Sequence, residues 1–325
     1  MQQTALLQQR IAEAISGISI PPAPANLYDP IGYMLQIGGK RIRPLLTLLS
    51  AQLFGVSAIE EALPAALAVE LFHNFSLVHD DIMDAAPLRR GKPTVHQQWD
   101  SSIAILSGDR LLVMAYQELA KCPGQHLPRL LNTFNTMSTG VCEGQQLDMD
   151  FEQRAAVSLD EYIQMITLKT AVLLGAALEM GAIIGGAAEA DARLIYTFGV
   201  HVGIAFQLQD DLLDLYGNPE QVGKQPGGDI LANKKTYLLV KALEVASPAT
   251  QAQLTHLFTA PHPSPQAKIT AITDIYNQLG VQQLAENDKQ AYVDTAFGAL
   301  DRIDVAEDRK QQLRILAQNL LHREA

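Results

Sequence analysis

Two acid-rich pentapeptides carry the most distinctive chemistry in this chain: Asp80-Asp81-Ile82-Met83-Asp84 and Asp210-Asp211-Leu212-Leu213-Asp214. On a helix, residues three and four apart share a face, so Asp80 and Asp81 each fall beside Asp84. In the second segment Gln207, Asp210, Asp211 and Asp214 follow the spacing 0, 3, 4, 7, the stripe that a helix normally fills with leucine. Ile204, Ala205, Leu208, Leu212 and Leu215 occupy the rest of the girth, so the acidic stripe is expected to face an internal polar cavity. Like charges at these spacings destabilise a helix. Both clusters also end an apolar run, where the helix dipole disfavours anions. A solvated surface patch would explain either cluster alone. Two matching clusters point to hard divalent cations. Oxygen ligands with no His or Cys beside them suit Mg²⁺, which completes its shell with water and substrate phosphates.

Phosphate ligands need cations from the protein too. Gly38-Gly39-Lys40-Arg41-Ile42-Arg43-Pro44 sets three at an expected helix start, where backbone N–H groups also favour anions. Arg89-Arg90-Gly91-Lys92-Pro93 follows the first acid cluster, Lys169-Thr170 opens an Ala/Gly-rich stretch, and Lys224, Lys234 and Lys235 flank a second loop. Singly, these read as ordinary exposed basic turns or surface ion pairs. Together with the acid pairs they match the needs of two diphosphates, one held through metal and one directly by Arg and Lys.

The elements that must position these groups are helical. Apolar periodicity runs over 6–18, 43–54, 65–84, 104–121, 127–151, 159–184, 192–215, 235–245, 266–279, 282–300 and 306–322;. No alternating strand pattern and no repeat is visible. The expected fold is all-α, with ten or more helices in a single domain over 1–325. Residues 1–26 read as a terminal helix and Pro-rich linker, and 217–229 as a flexible loop at the site. With 48% hydrophobic and 18% charged residues among 325, the chain can bury a large core;. A net charge of −11 argues against a nucleic-acid partner;. Two cysteines make no disulfide framework, so a reducing, cytoplasmic setting is expected. The start MQQTALLQQRIAEAIS lacks the pattern of a signal peptide;. The nearest approach to a membrane span, 171–188, contains Glu179 and is mostly Ala and Gly, so no transmembrane segment is expected.

Six segments together resemble the trans-type isoprenyl diphosphate synthases, the polyprenyl synthetases. They are GGKRIRP (38–44), ELFHNFSLVHDDIMDAAPLRRGKPTVH (70–96), EGQQLD (143–148), LKTAVLLGAA (168–177), FQLQDDLLDLYG (206–217) and GGDILANKKTYL (227–238), in the family's order. The resemblance implies an all-α bundle around a central active-site cavity, usually a homodimer. It implies condensation of isopentenyl diphosphate with an allylic diphosphate. By that likeness Asp80, Asp84 and Asp210 are direct ligands of three Mg²⁺ on the allylic diphosphate, with Asp81, Asp211 and Asp214 in support. Arg89, Lys169, Lys224 and Lys234 match contacts to the same diphosphate, with Lys234 favoured over Lys235. Lys40, Arg43, His73 and Arg90 match the isopentenyl diphosphate pocket. Lys169, Thr170 and Gln207 match groups along the reacting carbons. His79 reads mainly as a packing residue.

The family sets product length with bulky residues upstream of the first cluster, which here are Phe75, Ser76 and Phe72. The pattern is most similar to geranylgeranyl diphosphate synthases, with farnesyl synthases second. Five residues rise about 7.5 Å along a helix, yet Phe75 lies about 140° around the axis from Asp80. Phe75 and Phe72 as plain core aromatics therefore stay open. Two rivals share the fold: a terpene cyclase, which needs no second diphosphate pocket, and a non-catalytic partner subunit, which usually lacks one acid cluster.

Overall fold

The structure, a computed structural model, describes residues 2–55, 59–217, 227–261 and 263–321. Helices α1 (Gln2–Ser16), α2 (Ala25–Gln36), α3 (Ile42–Phe54) and α4 (Ile59–Met83) lead into a hairpin, β1 (Leu88–Arg89) and β2 (Lys92–Pro93). Next come α5 (Val95–Gln98), α6 (Ser101–Leu119) and α7 (Leu127–Gln153). Helix α8 (Leu159–Ile166) passes through a π-helical turn (Thr167–Ala171) into α9 (Val172–Ile184), and α10 (Glu189–Tyr216) follows. The remaining helices are α11 (Gly228–Leu231), α12 (Tyr237–Val245), α13 (Pro248–Thr259), α14 (Pro265–Gln278), α15 (Val281–Asp301) and α16 (Glu307–Leu321). The all-α expectation holds.

Several helix starts follow from capping residues that supply an acceptor to the unsatisfied first-turn N–H groups. Asp100 accepts from Ile103 N–H at 2.8 Å to begin α6. Ser158 and Glu161 form a reciprocal capping box on α8;. Ser247 and Ser264 cap α13 and α14, each followed by Pro at a position that needs no donor;.

The chain folds into two compact units. The first comprises Met1–Thr136, Ala176–Tyr196 and Ile303–Leu313. It carries the first acid cluster and the basic segments at 38–44 and 89–92. Leu45, Leu48, Leu71, Phe72, Leu111 and Phe134 are among its buried apolar residues. Its α4 packs against α3 and α6. The second comprises Met137–Gly175, Thr197–Arg302 and Arg314–Ala325. It carries the second acid cluster, Lys169 and Lys234. Phe151, Tyr162, Leu208, Tyr237, Ile272 and Tyr276 anchor its core.

The structure departs from the sequence reading in several elements. Helix α2 was hidden by Pro24 before it and Pro30 inside it, and α13 by its weak apolar periodicity. The short α5 and α11 were also not foreseen. The hairpin has only two residues per strand, too few to show alternation. Its turn residues Arg90 (φ 52°) and Gly91 (φ 75°) both take positive φ, the geometry that suits a tight antiparallel turn. Most consequentially, 159–184 is not one regular helix. The Lys169-Thr170 pair sits in the π turn, a local widening often found where side chains serve a function.

The Ala/Gly-rich stretch owes its composition to close approach. A Cβ on Gly181 would lie 2.1 Å from the Thr47 carbonyl oxygen. By length and composition Leu159–Ile184 could cross a membrane, but 72% of its apolar stretch is buried inside the fold.

Two glycines clamp the π turn. A Cβ on Gly144 of α7 would stand 2.2 Å from the Lys169 backbone nitrogen, and one on Gly203 of α10 would stand 2.6 Å from the Ala171 Cα. Both contacts are to backbone, which cannot step aside as a flexible side chain can. Gly203→Ala is expected to cost about 1–3 kcal/mol by overpacking and to lower activity by displacing Lys169 and Thr170. Urea unfolding beside a turnover assay checks both effects.

Candidate active site

The first acid cluster occupies the last turn of α4. The helix stops in a left-handed residue, Ala85 (φ 48°). Ala86 N–H then reaches back to the Asp81 carbonyl at 2.9 Å and Ala85 N–H to that of Ile82 at 3.2 Å, which satisfies two orphan carbonyls. The three carboxylates separate by environment. Asp81 is 2% exposed and accepts from Arg89 through both oxygens, at 2.7–2.9 Å. Asp80 is half-buried with one oxygen 3.5 Å from the same guanidinium, and Asp84 is exposed. Burial works against the Arg89 charge, but its bonds to Asp81 and the neighbouring acids outweigh that and raise its pKa. Asp81 therefore orients Arg89, with Asp80 beside the same guanidinium and Asp84 at the exposed end of the cluster.

The basic residues of this unit sort in the same way. Arg41, the left-handed N-cap of α3, ion-pairs with the buried Glu70 and donates to the Leu35 carbonyl at 2.6 Å. Of the three cations at 40, 41 and 43, Arg41 is therefore committed to the fold. Lys40 is exposed. Arg43 donates to His73 Nε2 at 3.1 Å. Burial lowers the Arg43 pKa to about 10, which still leaves it charged at neutral pH. Burial, reinforced by Arg43 and Arg90, depresses the His73 pKa well below its usual value, so the imidazole is neutral and accepts at Nε2. Arg90 is exposed and its guanidinium donates to the Gly38 carbonyl.

Around the expected chain-length residues, Phe72 is 1% exposed and packs edge-on to Phe134 at 5.5 Å. Phe75 is half-buried between Phe72 and His79. Ser76 donates to the His73 carbonyl at 2.9 Å. His79 Nε2 lies 3.1 Å from the Ile105 carbonyl on α6, which fits a packing role.

In the second unit, a pocket of about 130 Å³ gathers Lys169, Thr170, Gln207, Asp211 and Lys234 together with Asp148, Asp229, Tyr162 and Lys235. Lys169 pairs with Asp148. Asp211 is 5% exposed. It accepts from Tyr162 O–H at 2.5 Å, Tyr237 N–H at 2.8 Å and Gln207 Nε2 at 3.1 Å. Burial pushes the Asp211 pKa up to about 7, against the lowering effect of those donors. Asp214 accepts from the backbone N–H of Asp229 at 3.1 Å and so caps the start of α11. Asp210 is half-buried on the same turn of α10. Both Lys234 and Lys235 line the pocket. Lys224 lies outside the described residues. Among the described residues, no three His, Cys, Asp or Glu side chains converge as a preformed metal cage.

The sequence reading missed Asp148, Asp229 and Tyr162. The first stands in the EGQQLD segment, and its role depends on the π turn that aims Lys169 at it. Tyr162 sits at a core position by period, and only its hydroxyl serves the site.

Residues 24–276 match the polyprenyl synthetase family model. The chain belongs to the polyprenyl synthetase family. Among its relatives, the geranylgeranyl diphosphate synthase of Methanosarcina mazei is 43% identical over 224 residues, 68% of each chain. The short chain isoprenyl diphosphate synthase of Methanothermobacter thermautotrophicus is 35% identical over 322 residues, 98% of this chain and 96% of that one. A crystal structure of a geranylgeranyl pyrophosphate synthase superposes with a TM-score of 0.93 at 42% identity, covering 99% of both chains.

Within this family member the division of cations can be measured. Arg41→Ala strands the buried Glu70 carboxylate and is expected to cost about 3–5 kcal/mol. Lys40→Ala, on the surface, is expected to change stability by less than about 0.5 kcal/mol. Equal losses in denaturant titrations would refute the assignment of Arg41 to the fold.

Proposed function

We propose that this chain condenses isopentenyl diphosphate head to tail with an allylic diphosphate (dimethylallyl, geranyl or farnesyl). The product is an all-trans prenyl diphosphate, with geranylgeranyl favoured and farnesyl second. One observation carries the reading: each of the two aspartate clusters ends an apolar helix and buries one carboxylate while its other two are less buried, in a chain of the polyprenyl synthetase family. Asp80, Asp84 and Asp210 would hold Mg²⁺, three ions in this reading, whose charge would stabilise the diphosphate leaving group. Arg89, Lys169 and Lys234, with Lys224, bind that same diphosphate. Lys40, Arg43, His73 and Arg90 hold isopentenyl diphosphate. Gln207 gives its amide nitrogen to Asp211, which leaves its oxygen, with the Thr170 hydroxyl, to face the developing allylic cation. The isopentenyl double bond attacks, and the departing diphosphate takes the proton. Phe75, half-buried five residues before Asp80, is the residue assigned to limit chain growth, with Ser76 beside it and Phe72 behind it.

Product chromatography tests the reading. The purified chain, given Mg²⁺, isopentenyl diphosphate and each allylic starter in turn, is expected to form a C20 diphosphate. Asp80→Ala and Asp210→Ala should each lower turnover about 10²–10³-fold, and Phe75→Ala should lengthen the product. Hydrocarbon formed from the allylic substrate alone would indicate a cyclase. No reaction from the chain by itself would indicate a partner subunit.

The proposed assembly is a homodimer through α6, which exposes Ile105, Leu106 and Val113 at 45%, 60% and 50% with Tyr116 nearby. Such a stripe on one long helix can meet its own copy about a two-fold axis. Sedimentation should give a dimer, and Leu106→Glu with Val113→Glu should give a monomer. A wild-type monomer at micromolar concentration would contradict the assembly.

A further inference from the structure

We infer that Tyr162 is a positioning residue for the second aspartate cluster, acting through Asp211; this rests on the synthase reading above. The Asp211 carboxylate is buried, and both its oxygens are engaged: Oδ2 by the Tyr162 hydroxyl and the Tyr237 N–H, Oδ1 by Gln207. Gln207 belongs to the same helix, one turn back. Tyr237 is the first residue of α12, whose own N-cap, Thr236, makes no side-chain cap bond. Asp211 therefore caps α12 from a different helix, with its charge at the end the dipole favours. Tyr162, at 2% exposure, supplies the side-chain bond from α8. The phenol ring also meets the Tyr237 ring edge-on at 6.2 Å, so its direction is set by packing.

This arrangement ties three elements to one carboxylate. The last turn of α10 cannot rotate without breaking the bonds from α8 and α12. Asp210, one residue before Asp211, takes its direction from that restraint, while Asp214, three after it, is held as well by the Asp229 N–H. Lys234 and Lys235 precede the capped start of α12 and share the restraint. Tyr162 never needs to touch a substrate to matter. Its loss leaves a buried carboxylate one donor short and loosens the helix turn that carries Asp210 and Asp214.

The test uses the full chain and a binding readout separate from turnover. Tyr162→Phe is expected to weaken Mg²⁺-dependent binding of inorganic pyrophosphate about tenfold in calorimetry, in line with loss of one hydrogen bond to a charged group. Turnover should fall by a similar factor, with KM for isopentenyl diphosphate unchanged. Tyr276 is buried in the same core, and its hydroxyl has no hydrogen-bond partner among the described residues. Tyr276→Phe should therefore leave pyrophosphate binding at the wild-type value. Asp211→Asn should reproduce the tenfold loss, and adding Tyr162→Phe to it should change binding less than twofold. Asp211→Asn keeps the inference falsifiable if Tyr162→Phe fails to fold. Wild-type binding in either single variant, or an equal loss in Tyr276→Phe, overturns the role of Tyr162. A wild-type chain that forms no prenyl product overturns the synthase reading itself.

Discussion

The burial of one carboxylate in each aspartate cluster is the constraint on which the site depends. Three acids in five residues at a helix C-terminus repel one another and face an unfavourable dipole. The fold answers by drawing the second acid of each cluster inside and neutralising it differently. Asp81 takes a two-oxygen grip on Arg89, whereas Asp211 takes uncharged donors from Tyr162, Tyr237 and Gln207. In both cases the inward acid has a structural role and fixes the helix turn that carries the flanking acids. A buried ion pair adds little net stability, so the return lies in orientation.

The π turn is the second determinant. A regular helix over 159–184 would carry Lys169 and Thr170 round by the ordinary 100° step. Widening the turn changes that phase, and the backbone contacts to Gly144 and Gly203 hold it in place. The result brings Lys169 to Asp148 and places Thr170 in the pocket with Gln207. Helix geometry, glycine placement and pocket chemistry are thus one causal chain.

Much of this was legible in the residues. The 0, 3, 4, 7 spacing located the acidic stripe and its helix, and apolar periodicity located most helices. What stayed hidden depended on tertiary contact. Arg41 and Arg43 are alike in sequence, yet only the fold reveals that a buried Glu70 claims the first. Tyr162 looks like any core aromatic until its hydroxyl finds Asp211. Helix α2 was obscured because proline at its entrance and within it reads locally as a break, although packing of Ile31, Met34 and Leu35 outweighs that penalty. Spacing likewise does not tell Phe72, deep against Phe134, from the half-buried Phe75.

The pairing of Arg43 with His73 has a consequence for proton traffic. With the Nε2 lone pair committed to a guanidinium and protonation disfavoured by burial and neighbouring arginines, the imidazole is locked as the Nδ1–H tautomer. Mild acidification therefore leaves the ring uncharged. The Arg43 guanidinium, not the ring, is then the cationic partner at this contact between α3 and α4.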